Sequence, residues 1–199
     1  MILPIVAYGD PVLRAKAKDI DANYPELTTL IDNMWETMYA AQGVGLAAPQ
    51  IGLPIRLFLV DAQPFAADPD LDPIEQKELR SFKKVFINPV ITSRFGITES
   101  FNEGCLSIPN VREDVDRLFD ITIEFLDENF EKQELELNGI SARVVQHEYD
   151  HIEGILFTDK LSPLKKRLIK SRLVNISKGK VKVDYLMRFP SKKIQLTTL

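Results

Sequence analysis

Both histidines of this chain fall in one five-residue string, His147-Glu148-Tyr149-Asp150-His151, and its only cysteine falls in Glu103-Gly104-Cys105-Leu106. Histidine and cysteine are the side chains best suited to bind a transition metal through nitrogen or sulfur. On an α-helix four residues make a little more than one turn, so His147 and His151 share a face about 6 Å apart along the axis. Two imidazoles held that way converge on an ion roughly 2.1 Å from each nitrogen. Glu148 points about 100° round the helix, near enough to reach a metal-bound water and poorly aimed to ligate. Around this string Ser141 is the expected N-cap, and Val144, Val145, Ile152 and Ile155 are the expected buried positions. Gly154 is the expected stop.

Two histidines leave a catalytic tetrahedral site one protein ligand short if water takes the fourth position. No histidine or cysteine follows His151, and the downstream acids Glu153, Asp159 and Asp184 are weaker alternatives to Cys105. Cys105 lies in a short segment, Glu103 to Pro109, too broken for a helix and able to approach a site by its backbone. Bound to an ion, its sulfur is a thiolate. A second segment, Gly43-Val44-Gly45-Leu46-Ala47-Ala48-Pro49-Gln50-Ile51-Gly52, has the small residues that let a loop turn tightly and let backbone come close to a ligand. Gln50 ends that approach with an amide able to donate to a developing oxyanion.

Together the three segments resemble the peptide deformylase family, whose signature motifs stand here in order as GVGLAAPQIG (43–52), EGCLSIP (103–109) and QHEYDH (146–151). YGDPVLR (8–14) and EGILF (153–157) are similar to the family as well, and the resemblance covers roughly residues 1–160. It implies a metal held by Cys105, His147 and His151, with water in the fourth position. It implies Glu148 as general base and acid, and Gln50 with the Leu106 N–H as donors to the oxyanion. Val44, Gly45, Gly104 and Leu106 would line the substrate backbone; Phe101, Ile140, Val144 and His147 would surround its methionine side chain. Arg112 matches an arginine on the substrate side, and Arg117 one behind the ligands. The implied reaction removes the N-formyl group from the N-terminal methionine of nascent peptides and releases formate. Ligand chemistry alone points to Zn²⁺; the resemblance points to Fe²⁺, one per chain. Other readings are an H-E-x-x-H metallopeptidase, which usually has a downstream third ligand, and a non-catalytic metal-binding module on the ribosome. A structural metal in such a module would need a fourth protein ligand.

With 199 residues, 45% of them hydrophobic, one domain with a real core is expected over 1–199. A single cysteine suits a reducing compartment, and MILPIVAYGDP lacks the basic region of a signal peptide, so a cytoplasmic location without membrane association is expected. Residues 25–41 read as an amphipathic helix burying Leu27, Leu30, Ile31, Met34 and Met38. Ile55–Val60, Val85–Ile91, Ile121–Phe125 and Gln133–Leu137 read as strands, and 61–80 as a solvated excursion without a site. Ser162-Pro163 opens a C-terminal helix, and 180–189 alternates as a final strand. The class is α+β: short, mostly antiparallel strands around a central metal-binding helix carrying HEYDH.

Charge is uneven. Residues 1–159 hold 13 basic and 28 acidic residues, and 160–199 hold 12 basic and one acidic. Nine of those basic residues fall in 160–182. The bland reading is a solvated helix face; the functional one is a strip that meets a polyanion, with the ribosome the natural partner of an enzyme acting on nascent chains.

Overall fold

A computed structural model describes residues 1–190; the tail 191–199, which carries Lys192 and Lys193 of the basic segment, lies outside the described residues. Seven strands and four α-helices follow in chain order. They are β1 (Ile5–Val6), α1 (Leu27–Ala40), β2 (Gly45–Ala47), β3 (Leu57–Asp61), α2 (Pro73–Ser81), β4 (Lys83–Cys105), β5 (Ile108–Leu126), β6 (Lys132–Leu137), α3 (Gly139–Ile152), α4 (Pro163–Ser177) and β7 (Met187–Arg188). Strands β2 to β6 form one antiparallel meander in sequence order. Strands β1 and β7 pair with each other in parallel. The α+β class and the antiparallel sheet expected from the sequence are both present.

The sheet buries both faces. On one, Phe58, Phe86 and Phe125 stack in a row and pack with Ala142, Val145 and Ile152 of α3. On the other, Leu57, Leu59, Val85 and Ile87 meet Ile31, Met34 and Met38 of α1. The alternation along β3 and β4 therefore sends side chains to two cores, as period two requires. A third core gathers Leu13, Ile108, Val115 and Phe157 under Ile169, Leu173 and Ile176 of α4. Helix α3 packs on the sheet, and its His147 ring stacks on Phe157 of this third cluster.

Several local expectations shift. Helix α3 begins at Gly139 after Asn138. Ser141 is no cap, because its hydroxyl donates back to Asn138 O inside the first turn. Ile155 lies past the helix end and is exposed. The excursion 61–80 contains a 3₁₀ turn (Gln63–Ala67) and α2, whose N-cap Asp72 accepts from the Ile74 and Glu75 amides. Strands 85–91 and 121–125 are pieces of longer β4 and β5, whose ladder continues through 92–100 although those side chains are exposed. The strand expected over 180–189 shrinks to β7, because its strand partner among the described residues is the two-residue β1.

Gly154 does stop α3. It adopts φ +74°, and a Cβ there would lie 2.6 Å from the Arg14 carbonyl oxygen. Left-handed backbone costs an L-residue about 1–2 kcal/mol before any clash. Gly154→Ala is expected to destabilise the protein by about 2 kcal/mol or more, seen as a lower Tm. A variant as stable as the parent would show that neither strain nor contact matters there.

Candidate active site

Three elements deliver the site. Strand β4 ends at Cys105, the two-residue turn Leu106-Ser107 follows, and Ile108 pairs back with Cys105. Helix α3 brings His147 and His151 to that strand end. Cys105 Sγ stands 3.2 Å from His151 Nε2, and one donor atom from each of the three residues lies within 4.8 Å of the others. The 3₁₀ turn Ala48–Ile51 supplies Gln50. Its Oε1 accepts from Ala47 N–H at 2.8 Å, which turns the amide nitrogen toward Cys105 Sγ and Ser107 Oγ, 3.5 Å from each.

Behind the donors lies a buried charge network that the sequence reading left largely unnamed. Glu103 accepts from Arg117 through both oxygens, at 2.6 and 2.9 Å, and from Arg143 at 3.3 Å. Its Oε2 also lies 2.9 Å from His147 Nδ1. Arg117 reaches on to Asp150 at 2.6 Å, and Lys160 meets Asp150 at 3.2 Å. Burial alone would raise the Glu103 pKa, but the hydrogen bonds from Arg117 and His147 hold it well below the usual carboxylate range. With Nδ1 bonded to Glu103, His147 keeps Nε2 for an ion, the usual arrangement for a metal-ligating histidine.

Two buried side-chain atoms have no partner among the described residues: Glu148 Oε2 and His151 Nδ1. Burial pushes the Glu148 carboxyl up to about 7, with Glu103 and Asp150 raising it and His147 and Arg117 lowering it. Gly45 makes room for that carboxylate, since a Cβ there would fall 2.3 Å from Glu148 Oε1. One thiol, two imidazoles and an orphaned carboxylate beside them fit a divalent transition ion with one open position. Of the alternative third ligands, Asp184 lines the cleft outside the donor cluster, and Glu153 and Asp159 are engaged elsewhere. Glu153 pairs with Arg56 and Lys16, and Asp159 with Arg14.

The site opens into a cleft of about 650 Å³. Val44, Gly45, Gln50, Phe101, Gly104, Cys105, Leu106, Arg112, Val144, His147 and Glu148 all line it. Buried His151 lies behind the lining. Ile140 is not part of the lining: it sits one helical turn before Val144, and packs against the core between sheet and α3. Arg112 folds back over Gly104, its Nε donating to Asn102 at 2.9 Å. Several contributions were missed, two of them far from the motifs. Phe65, inside the supposed site-free excursion, lines the cleft, and so do Lys182 to Tyr185 near the C-terminus. Glu103 could have been found from its period-two spacing to Cys105; Tyr185 carries no such signal.

The chain matches the family model of polypeptide deformylase over residues 2–167. It is 66% identical to the peptide deformylase of Christiangramia forsetii over 97% of this chain and 98% of that protein. It is 58% identical to that of Flavobacterium johnsoniae over 97% of this chain and 98% of that one. Among solved structures, the peptide deformylase of Thermus thermophilus superposes with a TM-score of 0.76 at 41% identity, covering 90% of this chain and 99% of that one.

Glu103→Gln is expected to weaken metal binding by about 10–100-fold, the range for loss of a group that orients a ligand. It should also lower stability near neutral pH, because Arg117 and Arg143 lose a charged partner. The lowered Glu103 pKa stabilises the fold above the unfolded carboxylate range near 4, and that contribution is lost as pH falls through the folded value. Chelator competition and Tm measured against pH check both; unchanged metal affinity would show that Glu103 does not orient His147.

Proposed function

The chain belongs to the polypeptide deformylase family, and we propose that Cys105, His147 and His151 hold its ion while Glu148, Gln50 and Leu106 carry the chemistry. It is a metal-dependent hydrolase that removes the N-formyl group from nascent formylmethionyl peptides. What supports the residue assignment is the convergence of a thiol and two imidazoles within 4.8 Å beside a buried, partnerless carboxylate oxygen. Residues 1–199 act as one catalytic domain, with 160–199 as its basic C-terminal part.

When bound, the ion supplies the Lewis acidity that makes water nucleophilic at neutral pH. Glu148, with its pKa near 7, accepts the proton at Oε2 and later delivers it to the leaving amine. Gln50 Nε2 and the Leu106 N–H donate to the formyl oxygen as negative charge builds there; one such donor is often worth about 3–4 kcal/mol. Val44, Gly45 and Gly104 let the peptide backbone lie close, and Arg112 flanks it. Phe101 and Val144 take the methionine side chain. The working ion is Fe²⁺, one per chain, with Zn²⁺ or another divalent ion able to substitute, because the donor set suits both. No helix among the described residues is long and apolar enough to cross a membrane. The cytoplasm is the proposed location, where a thiol ligand stays reduced.

Protein isolated without oxygen and loaded with Fe²⁺ is expected to release formate from a formyl-Met peptide. Glu148→Ala should keep its metal and lose about 10²–10⁴-fold or more in turnover. Loss of metal with full rate per remaining ion would assign Glu148 to ligation instead.

The ribosome is the proposed partner of segment 160–182. Helix α4 turns Ile169, Leu173 and Ile176 inward, and Arg167, Lys170 and Arg172 are exposed and unpaired among the described residues. Lys165, by contrast, already meets Glu113 at 3.5 Å. Changing Arg167, Lys170 and Arg172 to Glu should weaken co-sedimentation with ribosomes, with activity on a short formyl peptide unchanged. Binding by the parent should also fall steeply with salt. Binding indifferent to both would remove the ribosome as partner.

A further inference from the structure

The segment after α4 contributes something that none of the three motifs contains. Lys182 to Tyr185 form one wall of the cleft, although they lie beyond the residues 2–167 that match the family model. Strand β1 secures the segment: Ile5 N–H donates to Leu186 O at 2.8 Å and Ala7 N–H to Arg188 O at 2.9 Å. Asn110 Nδ2 adds a bond to Lys182 O at 3.2 Å. Tyr185 is half-buried, packed against the core beneath α1, and its hydroxyl donates to Leu106 O at 2.7 Å.

Leu106 and Ser107 form the tight turn between Cys105 and Ile108. Three groups hold this turn from different sides. Tyr8 N–H donates to Ser107 O at 2.8 Å, Gln50 Nε2 reaches Ser107 Oγ at 3.5 Å, and Tyr185 takes Leu106 O. The N–H and C=O of Leu106 belong to adjoining rigid peptide planes hinged at a single Cα. Anchoring the carbonyl therefore restricts the rotation that aims the N–H. A donor fixed before substrate arrives costs no reorganisation when charge develops.

We infer that Tyr185 is a positioning residue for deformylation: by holding the Leu106 carbonyl it keeps the Leu106 N–H aimed at the formyl oxygen. This rests on reading that N–H as an oxyanion donor. Tyr185 acts through Leu106, and its ring separately serves as cleft wall. The hydroxyl thus belongs to kcat and the ring to KM.

Tyr185→Phe keeps the ring and removes the hydroxyl. On a short formyl-Met peptide its kcat is expected to fall about tenfold with KM within about twofold, the pattern of a contribution made in the transition state. Bound metal should match the parent, with Tm lowered only by the loss of one hydrogen bond. Tyr185→Leu should show the same kcat loss with a raised KM, because the wall is also gone. Gln50→Leu, measured alongside, reports on the oxyanion reading by itself. Parent-like kcat in Tyr185→Phe beside a loss in Gln50→Leu overturns the inference and leaves that reading standing. Parent-like kcat in both overturns the reading. A loss in Tyr185→Phe that tracks lost metal, or that appears only in KM, also overturns the inference.

Discussion

The site depends on one buried carboxylate. Glu103 lies almost wholly out of water, where an unpaired charge would cost several kcal/mol or become protonated. Arg117, Arg143 and His147 keep it ionised. Those partners come from β5 and α3, so one side chain of β4 ties together the strand that carries the thiol and the helix that carries both imidazoles. The same contact sets which nitrogen of His147 is free. Arg117 then extends the arrangement to Asp150, on the helical turn between the two histidines. Glu103 and Arg117 are the members the others share, so removing either leaves buried charges without a main counterpart.

Two periodicities meet at this point. Along a strand, residues two apart face the same way, so Glu103 and Cys105 both point toward α3. Along a helix, residues four apart do the same, which aligns His147 with His151. Gly104, between the two strand residues, faces away and leaves space that Arg112 occupies; a Cβ there would fall 2.8 Å from its Nη1. The E-G-C spacing is thus the strand counterpart of H-E-x-x-H.

These local patterns explain what could be read from the sequence. The donors, Gln50 and Glu148 lie in short motifs whose spacing carries their geometry. Helix α2 was hidden because Leu79 is its only buried residue, leaving a cap at Asp72 and no apolar rhythm. The length of β4 and β5 was hidden because residues 92–100 are held by the ladder and not by burial, so no alternation marks them. Nothing in the sequence joins Arg143 to Glu103, because their partnership spans 40 positions. The Tyr185 contact spans 79 and leaves no local trace.

The parallel pairing of β1 with β7 joins opposite ends of the described chain. Contacts of that sequence separation are the slowest to form, because the closure entropy must be met before they stabilise anything. Strand β1 cannot pair until β7, its strand partner among the described residues, is in place. The wall built from Lys182 to Tyr185 is therefore among the final parts to settle. The cleft of an enzyme that acts on nascent chains is thus completed by a pairing that spans most of the described chain.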